Sequence, residues 1–139
     1  MTRPTPRLLL DSEAVQALRD PTHRKHRRVL AFVESTMSRR RGGAPPVVPT
    51  AVRAEAGWDR RAALSAPINR LRVDDAPLDT RAADLAAALV VALRVAVADA
   101  HLGAVVAGLA GPVAVLTGDV DDVRRIVAHL DARVTVVAL

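Results

Sequence analysis

Short unbroken apolar runs alternate along the chain with segments whose apolar positions recur every three or four residues, the pattern of strands separated by helices. Leu8-Leu9-Leu10 closes on Asp11 and Ser12, which reads as a central strand ending in an acid where a helix over Ser12 to Leu18 begins. Asp20-Pro21-Thr22 breaks that helix. From His23 to about Ser38, Val29, Leu30, Val33 and Met37 mark the buried face of a second helix, which Arg39-Arg40-Arg41-Gly42-Gly43 ends. Val47-Val48 between prolines offers a short strand. Thr50 is placed to cap a helix running towards Ala66, with Ala51, Ala54, Glu55, Trp58 and Ala62 on one inward stripe. Leu71 to Asp74 reads as a further short strand, and Arg81 to about Gly103 as one long apolar helix. After the Gly111-Pro112 turn, Val113 to Thr117 is the clearest buried strand. Val123, Ile126, Val127 and Leu130 define a closing helix, and Arg133 to Val137 alternate into a last strand.

Strands joined through helices imply parallel neighbours and right-handed crossovers. The expected fold is a three-layer α/β/α sandwich around a central, mostly parallel five-stranded sheet, built as one domain by residues 7–139 behind a loose arm at 1–6. That arm lacks the apolar core of a secretory signal. A membrane span from Ala82 to Ala100 is disfavoured, because Asp84, Arg94 and Asp99 would each cost about 2.5–3.5 kcal/mol at a bilayer centre. The absence of cysteine removes disulfides, thiolate metal sites and cysteine nucleophiles, and fits a reducing cytoplasm.

The net charge is +5, and its distribution is uneven: residues 1–70 hold 14 Lys/Arg against 6 Asp/Glu, residues 71–139 hold 6 against 9. Arg24, Lys25, Arg27 and Arg28 at the start of the second helix and Arg39, Arg40 and Arg41 at its end form a candidate phosphate-tracking rim. The competing reading is a solvated helix face in an arginine-rich chain.

Asp11 and Asp119 close strands, whereas Glu55 and Asp99 lie on inward helix stripes. In open α/β sheets, ligands sit outside the carboxyl ends of the strands. Four acids meeting there would repel, by about 4 kcal/mol per pair at ~4 Å and an effective dielectric near 20, unless protons or a cation neutralised them. All-oxygen ligation points to Mg²⁺ or Mn²⁺, and hence to metal-assisted hydrolysis of phosphodiesters.

These acids and their neighbourhoods, Leu9-Leu10-Asp11-Ser12, Val48-Pro49-Thr50-Ala51-Val52-Arg53-Ala54-Glu55, Val97-Ala98-Asp99-Ala100 and Val115-Leu116-Thr117-Gly118-Asp119, resemble the PIN-domain nucleases, especially the VapC-type ribonuclease toxins of bacterial toxin–antitoxin pairs. The resemblance implies that Asp11, Glu55, Asp99 and Asp119 are catalytic and hold a divalent ion, with the hydroxyls of Ser12 and Thr117 beside it. Asp122 falls where relatives often carry an additional acid; the alternative role is a favourable charge at a helix N-terminus. The resemblance further implies an RNA substrate, a small cognate antitoxin and a homodimer. The chain departs from the family pattern at Ala96, where relatives often have an acid, at Leu93-Arg94-Val95-Ala96, where they often have a glycine-containing loop, and at Gly118, where serine is frequent.

Other classes fit less well. A phosphoacceptor receiver or a haloacid-dehalogenase-like phosphatase needs a late active-site lysine, and Lys25 is the only lysine. No Gly-x-Ser-x-Gly elbow is present for a serine hydrolase. His23 and His26 lie within a basic run that would repel a metal ion. With Phe32 and Trp58 as the only aromatics, there is no stacking platform for bases, so nucleic acid would be held through its phosphates. The remaining rival is a nuclease-like fold with weakened metal affinity that acts as a nucleic-acid or protein binding module; divalent-ion binding separates the two.

Overall fold

The computed structural model describes residues 5–39 and 43–139. Strand β1 (Arg7–Leu10) is followed by α1 (Ser12–Arg19), α2 (His26–Arg39), β2 (Val47–Pro49) and α3 (Thr50–Glu55). A 3-10 turn at Ala63–Ser65 runs into α4 (Ala66–Asn69) and then β3 (Asp74–Ala76). Helices α5 (Thr80–Leu93) and α6 (Val97–Gly108), strand β4 (Val113–Thr117), α7 (Val120–Leu130) and β5 (Val134–Ala138) complete the chain.

The five strands form one sheet in the order β3-β2-β1-β4-β5, and every pairing is parallel. Both β1 and β4 are buried apolar runs, as strands covered on two faces must be. They pair directly, Leu9 opposite Val115 and Leu10 opposite Leu116. The chain moves one way from β1 to β3 and then returns across the sheet to β4 and β5, so right-handed crossovers put α1 and α2 on one face and α5, α6 and α7 on the other. This is the expected three-layer α/β/α arrangement, with the parallel pairing complete. No helix among the described residues is long and apolar enough to cross a membrane.

Four elements differ from the sequence reading, the first being the second helix, which begins at His26 rather than His23. The helix from Thr50 stops at Glu55 rather than near Ala66, because Gly57 adopts φ +71° and closes it: the Trp58 N–H bonds to the Arg53 carbonyl and the Gly57 N–H to that of Ala54. Its cap position is Pro49, and the Thr50 hydroxyl instead accepts the N–H of Leu78. Strand β3 begins at Asp74, three residues later than expected, after a left-handed turn residue at Arg72 (φ 54°). The long apolar stretch is two helices, broken where Arg94 takes the left-handed conformation (φ 55°) and Val95 and Ala96 follow in no regular structure.

Helices α5, α6 and α7 meet at Gly103. A Cβ there would lie 2.7 Å from both Ile126 Cγ2 and Leu89 Cδ1, side chains buried in the core, so the close approach depends on hydrogen at that position. Gly103→Ala is expected to destabilise the fold by about 1–3 kcal/mol through overpacking, measured by urea unfolding with an unchanged denaturant slope.

Candidate metal centre

The order of strands makes β1 and β4 the pair where the chain reverses its direction of travel, the crevice position for ligands in parallel sheets. Asp11 follows β1 there and is 6% exposed. One of its oxygens accepts the N–H of Ala14 at 2.9 Å, capping α1; the other accepts the N–H of Gly118 at 2.9 Å across the β1–β4 seam. The Thr117 hydroxyl donates to the same carboxylate, and Thr117 Oγ1 accepts the Asp119 N–H at 2.8 Å. Burial nevertheless pushes the Asp11 carboxyl above its ordinary value.

Asp119 caps α7 and Asp122 lies in its first turn. Together with Asp99, in the first turn of α6, they bring carboxylate oxygens within 4.8 Å of one another. Asp99 is pushed up to about 6, first by burial, then by the charges of Asp119, Asp122, Glu55 and Asp11. Asp119 is likewise raised, with burial the leading cause and the neighbouring acids adding to it.

The expected residues therefore occupy one sheet edge, but in two ranks. Asp99 and Asp119 share a tight cluster with Asp122, the acid given a secondary place on sequence grounds. Glu55, placed inward by its stripe, is exposed at the end of α3, where it accepts a hydrogen bond from Ser12; its charge still acts on Asp99. His101, two residues beyond Asp99, is fully buried, and its Nδ1 accepts the Ala51 N–H at 3.2 Å, so α6 is tied to the first turn of α3 that leads to Glu55. Burial lowers the His101 pKa, in keeping with a neutral ring that accepts. Arg125 is a second residue the sequence did not single out: its guanidinium pairs with Asp122 at 3.1 Å and donates to the Leu93 carbonyl at 2.8 Å, bridging the cluster to the end of α5.

The basic runs separate. Lys25 reaches Glu13 in α1 beside the acid edge, while Arg24, Arg27 and Arg28 are exposed nearby in sequence. Helix α2 is about 20 Å long at its 14 residues, and its far end, at Thr36 and Met37, lines a cleft with Leu8, Pro46 and Asp74 at the opposite, amino edge of the sheet. Arg39 is exposed at that far end, so it does not extend a rim beside the acids; Arg40 and Arg41 lie outside the described residues.

The chain matches a solved structure, described as "Crystal Structure of FitAcB from Neisseria gonorrhoeae", over 92% of its own length and 96% of that chain, with a TM-score of 0.56 and 17% sequence identity. The fold is PIN-like. No protein-family model and no curated protein matches the chain.

The donor set suits a hard divalent cation. Three carboxylates converge, among the described residues none is neutralised within the cluster except through the edge contact of Arg125, and burial, with the repulsion of the neighbouring acids added, lifts Asp99 to about 6. Oxygen-only ligation of this kind fits Mg²⁺ or Mn²⁺.

Proposed function

We propose that the protein is a divalent-metal-dependent endoribonuclease, a cytoplasmic toxin of the VapC type neutralised by a small cognate antitoxin. The observation that carries this reading is the convergence of Asp99, Asp119 and Asp122 at the sheet's switch point, with Asp11 and Glu55 close enough to raise Asp99 further. The PIN-like fold and the four motif matches support it. Asp99, Asp119 and Asp122 would hold Mg²⁺ or Mn²⁺, with Asp11 and Glu55 completing the negative field around it. A bound ion of this kind supplies an activated water and charge stabilisation at a phosphate oxygen.

The chain's own residues do the rest. Asp11, fixed by three donors, anchors the centre to the β1–β4 seam. The Ser12 hydroxyl holds Glu55, and Thr117 holds the Asp119 backbone. Arg24, Lys25, Arg27 and Arg28 supply positive charge for a polyanion approaching an acidic centre. The antitoxin would cover the same crevice with a cationic side chain against the carboxylates, and two copies of the chain would form the homodimer.

The test is direct. Purified protein is expected to cut single-stranded RNA with Mn²⁺ or Mg²⁺ and to be silent in excess EDTA. Cleavage persisting in EDTA would contradict the metal mechanism, and Mn²⁺ binding without any cleavage would favour the binding-module alternative. Co-expression with the adjacent gene is expected to give a complex in which cleavage is suppressed.

A further inference from the structure

The space in front of Gly118 is filled by a residue outside the acidic triad. A Cβ built on Gly118 would lie 1.4 Å from Glu13 Oε2 and 2.5 Å from its Cδ, so the Glu13 carboxylate rests on the glycine that joins Thr117 to Asp119. Gly118 is not in the left-handed region, so its backbone could carry any residue. What the missing side chain provides is room.

The other oxygen of Glu13 accepts from Lys25 Nζ at 2.8 Å. Lys25 is held at its backbone as well: its N–H donates to His23 Nδ1 at 3.1 Å, and its carbonyl accepts the Val29 N–H at 3.0 Å. A side chain with four rotatable bonds is thus fixed at both ends, which removes the entropy it would otherwise lose on binding. A partly exposed ion pair of this kind contributes little to stability. Glu13 also adds to the repulsion that raises Asp11. A carboxylate that does little for the fold and aggravates the acidic edge is accounted for by the ammonium it holds there.

We propose that Lys25 contacts a phosphate of single-stranded RNA beside the acidic centre, and that Glu13, seated in the gap left by Gly118, is the residue that positions it. The inference rests on the ribonuclease reading above. The ammonium has three donors, so it keeps Glu13 while donating to a phosphate oxygen.

Binding of a short labelled RNA to the intact chain is measured against salt in EDTA, and cleavage kinetics with Mn²⁺. Lys25→Ala is expected to weaken binding about fivefold, to reduce the slope of log affinity against log salt by roughly 0.7, and to raise KM more than it lowers kcat. Gly118→Ser conserves every charge but drives the Glu13 carboxylate off its seat; it should reproduce most of the loss, and Lys25→Ala added to it should cost less than about twofold more. Glu13→Ala removes the acceptor that holds Lys25, so Lys25→Ala added to it should also cost less than about twofold more. Wild-type affinity and salt slope in Lys25→Ala, or an undiminished effect of Lys25→Ala in the Gly118→Ser background, overturns the proposal. Should Gly118→Ser fail to fold, an undiminished effect of Lys25→Ala in the Glu13→Ala background would overturn it instead. If the unmodified chain neither binds nor cuts RNA, the ribonuclease reading falls and this inference with it; if it does both and Lys25→Ala changes nothing, only this inference falls.

Discussion

Asp99→Asn is expected to abolish metal-dependent RNA cleavage and at the same time to make the metal-free protein more stable near pH 8, by about 1–2 kcal/mol or roughly 3–8 °C in Tm. The Asp99 carboxyl is pushed up to about 6 in the fold from an ordinary value of 3.8, because burial and four neighbouring acids disfavour its charge. A rise of that size corresponds to at most about 3 kcal/mol, and solvent screening of a half-buried carboxylate reduces that. The native state holds this proton more tightly than the unfolded chain. Stability is therefore lost as pH rises from about 4 through about 6 and regained on acidification through the same window. The raised carboxyls of Asp11 and Asp119 act in the same direction. Thermal unfolding in EDTA across that range should show the dependence in the wild type and a flatter one in Asp99→Asn. A less stable Asp99→Asn protein at pH 8 would mean that the carboxylate is satisfied by contacts other than an ion.

Asp11→Asn should also abolish cleavage, but with the opposite effect on the fold: a loss of about 1–3 kcal/mol. Removing one of several like charges would by itself favour folding. At Asp11, however, both oxygens are occupied as acceptors, one by Ala14 N–H and the other by Gly118 N–H, in a position 6% exposed. An amide offers one acceptor and one donor, so one of these buried N–H groups would face an NH₂. The cap of α1 and the link to β4 cannot both be kept. Urea unfolding of the two asparagine variants side by side distinguishes an acid held by the fold from an acid held against it.

Much of this arrangement is legible in the chain. Val113 to Thr117 is bounded by Gly111-Pro112 and Gly118, and an apolar run of that length between turn residues leaves one reading; the observed strand matches it. The break between α5 and α6 is invisible because it uses neither glycine nor proline: Arg94 takes a left-handed conformation, and in a stretch made almost wholly of Ala, Leu and Val no periodicity marks the change of axis. The early stop of α3 did carry a signal, Gly57, masked by Trp58 and Ala62 continuing the apparent stripe. Glu55 is exposed rather than inward because α3 buries the face that carries Val52, continued by Ala56, and the stripe through Ala54 and Glu55 lies off that face. Asp122 as a member of the tight cluster depends on where α6 delivers Asp99, and Glu13 over Gly118 depends on the β1–β4 seam; neither contact has any trace in local sequence.

The seam itself has a consequence for synthesis. Asp11 is joined to Gly118 across 107 positions, and Asp119 is the next residue. A ribosome must therefore release the 107 positions that separate Asp11 from Gly118 before Asp11 and Asp119 can meet, and pairing at so long a range is slow compared with forming the helices between. Nascent fragments carry isolated carboxylates and no centre. The order of the strands therefore postpones assembly of the acidic centre until β4 has been made and has paired with β1.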